Sequence, residues 1–417
     1  MQITSIISFF AMMAVFVGLG FLISRVLPPY RFLGLQLLAK KGYYVELESM
    51  RGVLALCVVI HHAVVWYFLL YRNTSNISGP NAGFYSQLGT APVTFFFFIT
   101  SFLFWSKLIS TPKLPFGPFL YARLRRLGPA YLGGAAFVFV LVAIFTHFQL
   151  LASPAAVARD MLRVLLADTP KLNGLNSAPW LWGVTWTLRF EFLFYLLIPF
   201  LGWFAQTLSK TLLFVVGCNL LYAASLFVHA DHWHPPGFFQ LQALDRFLSF
   251  TFCVGMLTAH VVRMRRIRAF AHSLWAAPLS LLLIAAGLCF LPAQHGPLES
   301  LCFAIPFVAV ACGCNFWGAL RSRALLFLGQ ISYSVYLIHC LVYGAILLPL
   351  DGVFGYALQN PRLYWAIIFL SAPVIIAVAT LWHRCLELPF LPKKRAVSAP
   401  QPPVLATLEV ACAPVSK

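Results

Sequence analysis

Apolar stretches long enough to cross a bilayer recur along this chain, at residues 3–24, 50–71, 90–109, 131–148, 183–204, 211–228, 244–262, 274–291, 298–316, 332–350 and 363–386. Each is near the roughly 20 residues that a helix needs to span the hydrocarbon core. Polar, turn-rich segments separate them. The pattern predicts an all-α polytopic membrane protein of about 11 transmembrane helices. The loop 149–182 is the longest and has room for a short surface helix. The second stretch departs from uniform apolarity: Arg51 stands at its start, and His61 and His62 lie well inside it.

Composition agrees with a membrane location. Of 417 residues, 61% are hydrophobic and 10% charged, against about 25% charged in a soluble domain. The net charge of +18 does not indicate nucleic-acid binding. The basic residues sit in short loops between apolar runs, where the positive-inside bias puts them. Of the 29 Lys and Arg, 22 fall in one alternating set of loops and 6 in the other, with Arg189 inside a stretch. Assigning the richer set to the cytoplasm places the N-terminus outside and the C-terminus inside, and Arg51 then enters the membrane from the cytoplasm. The ten cysteines show no CxxC spacing. They read as small buried residues, and neither a disulfide framework nor a metal site is expected. The first ten residues lack a basic n-region and read as a retained helix. The Pro/Ala/Val-rich residues 393–417 read as a disordered cytoplasmic tail.

Polar groups inside the apolar stretches carry the candidate chemistry. Arg51 and His62 are eleven residues apart. That is about three turns, so they share a face, and roughly 16 Å separates them along the axis, about half a bilayer. By the same arithmetic Glu191 lies roughly 12 Å below the outer face, and His339 some 10–12 Å above the inner one. Ionisable side chains at such depth are costly and mark function by default. A Glu191–His62 pair would hold the imidazole as a general base for a hydroxyl or thiol, which is the chemistry of acyl transfer. The rival reading is a pair that only ties two helices together. Arg123, Arg125 and Arg126 read either as cytoplasmic anchors or as phosphate ligands. Tyr333 and Tyr336 read either as packing aromatics or as channel lining. His61 points about 100° away from His62 and reads as helix packing.

Several of these residues stand in motifs. Leu47-Glu48-Ser49-Met50-Arg51-Gly52 is followed by His62, Phe97-Phe98-Ile99-Thr100-Ser101-Phe102-Leu103 by Arg123–Arg126 with Pro129-Ala130, and Trp186–Tyr195 by Ser332–His339 and Glu387–Phe390. In type and order they resemble the motifs of the membrane acyltransferase-3 family, the bacterial-type glycan O-acyltransferases: R-x10-H, F-x-x-S-G-F-L, R-x-x-R, W-S-L-x-x-E-x-x-F-Y, S-Y-S-x-Y-L-x-H and E-x-P-F. The likeness covers about residues 45–392. It implies a ten-helix core there, preceded by an extra helix and cytoplasmic linker over 1–44. Three positions depart from the family pattern. Thr100-Ser101 replaces Ser-Gly, which removes a glycine's close backbone approach. Glu48 replaces Asp, and Arg189 occupies a place usually small, where it could pair with Glu191 or read a charged substrate.

The resemblance implies an enzyme of the bacterial inner membrane. It would move an acyl group, acetyl being the expected one, from cytoplasmic acyl-CoA to a hydroxyl of a cell-surface glycan or glycolipid. His62 would be the base, Glu191 its orienting partner, and Arg51, Arg123 and Arg126 ligands of the CoA phosphates or the shapers of the cytoplasmic mouth. Tyr333, Tyr336 and His339 would line the channel. No metal is implied. The rival class is a proton-coupled transporter or flippase with His62 and Glu191 as a relay. The acceptor's identity and the oligomeric state are not encoded in any motif.

Overall fold

The structure, a computed structural model, describes residues 2–27, 30, 44–111, 113–176, 178–181, 185–228 and 247–391. Most of the expected linker, Arg246 and the expected tail 393–417 lie outside the described residues. Four long helices come first: α1 (Ile6–Val26), α2 (Val45–Arg72), α3 (Ala82–Ser110) and α4 (Phe116–Phe145). The long loop then folds as a short helix, α5 (Pro154–Leu165), and a two-residue antiparallel pairing of Lys171–Leu172 with Leu175–Asn176. Next are α6 (Thr185–Leu201), α7 (Leu208–Val228), α8 (Cys253–Val261), α9 (Arg265–Ala271), α10 (Ala276–Phe290) and α11 (Pro297–Ala311). The chain closes with α12 (Arg323–Gln330), α13 (Ser332–Leu358), α14 (Pro361–Trp382) and a π-helical turn at His383–Glu387.

Among the described residues six helices are long and apolar enough to cross a membrane: α1 to α4, α13, and α14 with the turns that carry it to Phe390. The pair α9–α10, bent by 80°, makes a seventh if taken as one span. Six or seven of the eleven expected spans are thus found by length and composition among the described residues. Leu208–Ala224, Phe250–Val261 and Pro297–Ala311 are apolar but shorter. Helix α6 has 17 residues and carries both Arg189 and Glu191.

Helices α2 and α3 form the centre. In each, 72% of the most apolar window is buried inside the protein, against 28% for α1 and 33% for α4. Polar bonds fix both ends of α2. At its start Glu46 meets Arg321 at 2.6 Å, and Gln330 donates to Glu48 at 3.0 Å. At its far end the Tyr67 hydroxyl donates to the Gln359 carbonyl at 2.8 Å. Residues at the N-terminus join that far end: Asn81 donates to the Thr4 carbonyl, Tyr85 to Ser5 and Trp365 to Ile3. The segments that the alternation of loops assigns to one side thus lie at one end of the bundle.

Two crossings need glycine. A Cβ on Gly52 of α2 would come within 2.7 Å of the Gly329 nitrogen, and one on Gly329 would overlap the Glu48 carbonyl. The backbones of α2 and α12 therefore touch, as small residues allow in membrane helix pairs. The second crossing corrects the reading of Thr100-Ser101. Close approach is kept, with the glycine on the opposite helix: a Cβ on Gly255 of α8 would overlap Ser101 Oγ and the Phe98 carbonyl. Overpacking of this kind costs about 1–3 kcal/mol. Gly329→Ala is expected to lower the apparent melting temperature in detergent by several degrees. Gly18→Ala, where a Cβ meets nothing within 4 Å, should leave it unchanged, as a thermal-shift assay of the two variants would read.

Candidate active site

Six of the residues singled out in the sequence converge. Arg51, Arg123, Arg126, Glu191, Tyr333 and Tyr336 line one open cleft with a cavity of about 120 Å³, with Val93, Phe96, Phe97 and Leu103 of α3 as its apolar wall. A neighbouring hollow shares Arg51, Ile99 and Leu103 with it and extends to Lys107 and Ser110 at the end of α3. Three guanidiniums face one carboxylate in the cleft, so it favours an anion.

Each charged group has a defined seat. Arg51 lies 3.6 Å from Glu48, one turn back on α2. The Arg123 guanidinium stands over the rings of Phe104 and Phe119, at 5.0 and 5.9 Å, a cation–π arrangement that holds it without neutralising it. Its Nε has no hydrogen-bond partner among the described residues. Glu191 accepts a hydrogen bond from Tyr195, one turn on in α6. Tyr333 donates to the Leu127 carbonyl at 3.1 Å, and the Tyr336 and Thr187 hydroxyls are 3.1 Å apart. The cleft is thus walled by α2, α3, α4, α6 and α13.

His62 and His339 do not line this cleft. His339 lies one turn beyond the cleft residue Tyr336 on α13, and His62 three turns beyond Arg51 on α2, while Val58, Tyr336 and Phe96 pack together between cleft and histidines. His62 Nδ1 and His339 Nε2 are 2.9 Å apart, and His339 Nδ1 is 3.0 Å from the Val335 carbonyl. Both histidines are buried. Flanking tyrosines grip α2 at the same level: Tyr343 donates to the Val59 carbonyl at 3.3 Å and Tyr364 to the Ala63 carbonyl at 2.6 Å. The expected Glu191–His62 pair is therefore corrected: the imidazole's partner is His339, and the Glu191 carboxylate is turned to Tyr195. His61 points to the other side, bonded to the Tyr85 carbonyl at 2.7 Å with its ring against Gly89.

The ligand atoms of His62, His339 and Cys340 lie within 4.8 Å of one another. That donor set suits a soft metal ion in type. The two facing nitrogens, 2.9 Å apart, are at hydrogen-bond distance, closer than two zinc-bound nitrogens at about 2.0–2.1 Å from the ion would stand.

Arg189 meets neither Glu191 nor the cleft. It reaches the long loop, pairing with Asp168 at 2.9 Å and donating through Nε to the Ala167 carbonyl at 2.7 Å. Burial favours the neutral form of Asp168, but the Thr169 N–H and the Arg189 and Arg163 guanidiniums outweigh it and hold the carboxyl below its usual range. Two further polar clusters escaped the reading of the sequence. Glu387 accepts from Ser334 at the start of α13 and lies 3.2 Å from His383. The spacing of His383 and Glu387, four apart on a helix, was a visible signal. Beside Val93 in the middle of α3, Thr94 lies 2.9 Å from His295 and donates to Glu299 at 3.1 Å, with the Trp186 ring 5.9 Å from the imidazole. Nothing local in the sequence links residues 94 and 299.

Comparison with known proteins bears on this architecture. The acyltransferase-3 family model, an acyltransferase domain, matches residues 44–382. No curated protein matches the chain, and no solved structure does. The matched stretch runs from the start of α2 to the end of α14, and takes in every residue of the cleft and the histidine pair while stopping short of Glu387. The chain, a multi-pass membrane protein by its apolar helices, belongs to the acyltransferase-3 family.

Proposed function

We propose that this acyltransferase takes its acyl group from acyl-CoA bound in the cleft at the cytoplasmic side. It hands that group, acetyl in the simplest case, to a hydroxyl of a glycan or glycolipid arriving from the other side. The observation that carries this reading is the order of groups along α2 and α13. Arg51 comes first on α2 and His62 three turns later, while Tyr333, Tyr336 and His339 follow one another on α13. A guanidinium-lined cleft thus leads, one turn past Tyr336 on α13, to a buried imidazole pair.

Each group then has a task. Arg51, Arg123 and Arg126 bind phosphate oxygens, for which planar, permanently charged donors are well suited. Glu191, in the same cleft, limits their mutual repulsion and is not the partner of the base. The apolar wall from α3 accepts the pantetheine arm and the acyl chain. His62 removes the proton of the acceptor hydroxyl as its oxygen attacks the thioester carbonyl. The carbon–sulfur bond breaks, and the imidazolium returns its proton to the departing CoA thiolate. Bond and proton counts balance with no other reactant. Against the middle of α3, at Thr94 and Phe97, Trp186 and His295 present an aromatic face and polar groups that suit a sugar.

Two measurements test this. In inverted membrane vesicles supplied with radiolabelled acetyl-CoA, wild type should transfer label to a glycan or lipid fraction. His62→Ala, inserted to the same level, should lose at least 100-fold of that transfer, the usual span of a general base. Equal labelling with both proteins would overturn the assignment of His62, and no labelling with wild type would overturn the donor. Arg123→Gln with Arg126→Gln should raise the KM for acetyl-CoA about tenfold or more while changing kcat little, since uniform binding is lost. An unchanged KM would remove the CoA phosphates from this cleft.

A further inference from the structure

We infer that His339 is a positioning residue that fixes the tautomer of His62, leaving His62 Nε2 as the atom that takes the proton. This rests on the reading of His62 as the base and goes beyond it by assigning the second histidine, the proton positions and the reacting nitrogen.

The assignment follows from what each partner can do. A backbone carbonyl only accepts, so His339 Nδ1, 3.0 Å from the Val335 carbonyl, carries a hydrogen. A neutral imidazole has one N–H, so His339 Nε2 presents a lone pair. That lone pair faces His62 Nδ1 at 2.9 Å. Two lone pairs cannot meet at this distance, so His62 Nδ1 carries the hydrogen and donates it. His62 also hydrogen-bonds the Val58 carbonyl one turn back on α2, an acceptor that, like His339 Nε2, calls for a hydrogen on the ring; with that hydrogen on Nδ1 the lone pair of His62 is on Nε2. The chain reads His62 Nδ1–H to His339 Nε2, then His339 Nδ1–H to the Val335 carbonyl. It ends on an acceptor that cannot reverse it.

Protonating His339 would break this order, because both its nitrogens would then donate and His62 would lose its hydrogen bond to His339. The surroundings oppose that. His339 is fully buried, and its ring lies between Tyr336 and Tyr343 of its own helix, with ring centroids 6.3 Å away on each side. A lone cation in such a place is costly. The Nδ1–H tautomer of His62 is also the less common one for a free histidine, so an outside acceptor must select it. When His62 gains the acceptor's proton, the same bond strengthens because its donor has become charged. A neutral partner achieves this without holding a net charge in the membrane interior at rest.

The test combines tautomer and rate. In protein labelled with ¹⁵N-histidine in detergent micelles, the ring signal that disappears in His62→Gln identifies His62. It should show a protonated Nδ1 and an unprotonated Nε2. In His339→Leu that signal should move to the Nε2–H form, and kcat for acetyl transfer should fall on the order of 100-fold with the KM for acetyl-CoA within twofold. His339→Gln, whose amide oxygen reaches the place of Nε2, should recover at least tenfold of the loss. A wild-type His62 already in the Nε2–H form would overturn the inference without any variant having to fold. So would a His339→Leu enzyme of unchanged kcat, or a His339→Gln enzyme as poor as the Leu variant. The expected tautomer together with a fully active His62→Ala would instead reject His62 as base and leave the positioning intact.

Discussion

A polar side chain inside a membrane protein must find its partner within the protein, and the His62–His339 hydrogen bond is where that constraint weighs most. The two rings come from helices 277 residues apart in sequence, so α2 and α13 must hold one depth and one rotation for the bond to exist. The structure meets this demand on both sides. The Tyr343 and Tyr364 hydroxyls seize the α2 carbonyls at Val59 and Ala63, just before and after His62. Glu46 with Arg321, Glu48 with Gln330 and the glycine contact of Gly52 with Gly329 hold the start of α2 against the α12 region. Glu387 binds Ser334 in the first turn of α13, which sets where Tyr336 and His339 begin. Each bond is worth on the order of 1 kcal/mol. Their shared effect is registry, because neither helix can slide without breaking several at once.

The cleft is built on the opposite logic. Its cations are held and only partly neutralised. Arg123 rests on two aromatic rings and keeps an unbonded Nε, and Arg51 shares Glu48 with Gln330 at 3.6 Å, a loose pair. A fully paired arginine would have little left for a ligand. Arg189 is the contrast: two bonds to the loop at 167–168 commit its guanidinium to structure. Arg189 and Arg123 thus differ in how far protein acceptors already fill the fork.

Much of this was readable from the chain. The six membrane-spanning helices follow the apolar runs, and residues as far apart as Arg51, Glu191 and Tyr333 stand out in the sequence and share one cleft. What was misread has a common cause. Depth along a helix could be computed, but rotation and partner could not. Glu191 was placed near the level of His62 by arithmetic, yet its carboxylate turns to Tyr195. The glycine missing at Ser101 was restored by Gly255 on a neighbouring helix, which no local motif reveals. Asp168 and Arg189, or Thr94 and Glu299, meet because loops fold back, and loop geometry leaves no period in the sequence. The number of spans is less legible for a related reason: composition reports burial, and burial against protein and burial in lipid look the same along a chain.

The choice between Glu191 and His339 as partner of the central imidazole has a physical consequence for where charge resides. A carboxylate beside His62 would stabilise the imidazolium more strongly, but it would hold a negative charge near midplane through every resting moment, or demand a cation beside it. The chain keeps its carboxylate in the cleft, where three guanidiniums already stand, and gives the imidazole a neutral partner. On the proposed reading, charge collects where a polyanionic donor would enter, and the interior would become charged only while a proton is in transit. The arrangement gives up some basicity for an interior that needs no counterion. It also explains why α13, and not α6, is the helix so firmly tied to α2.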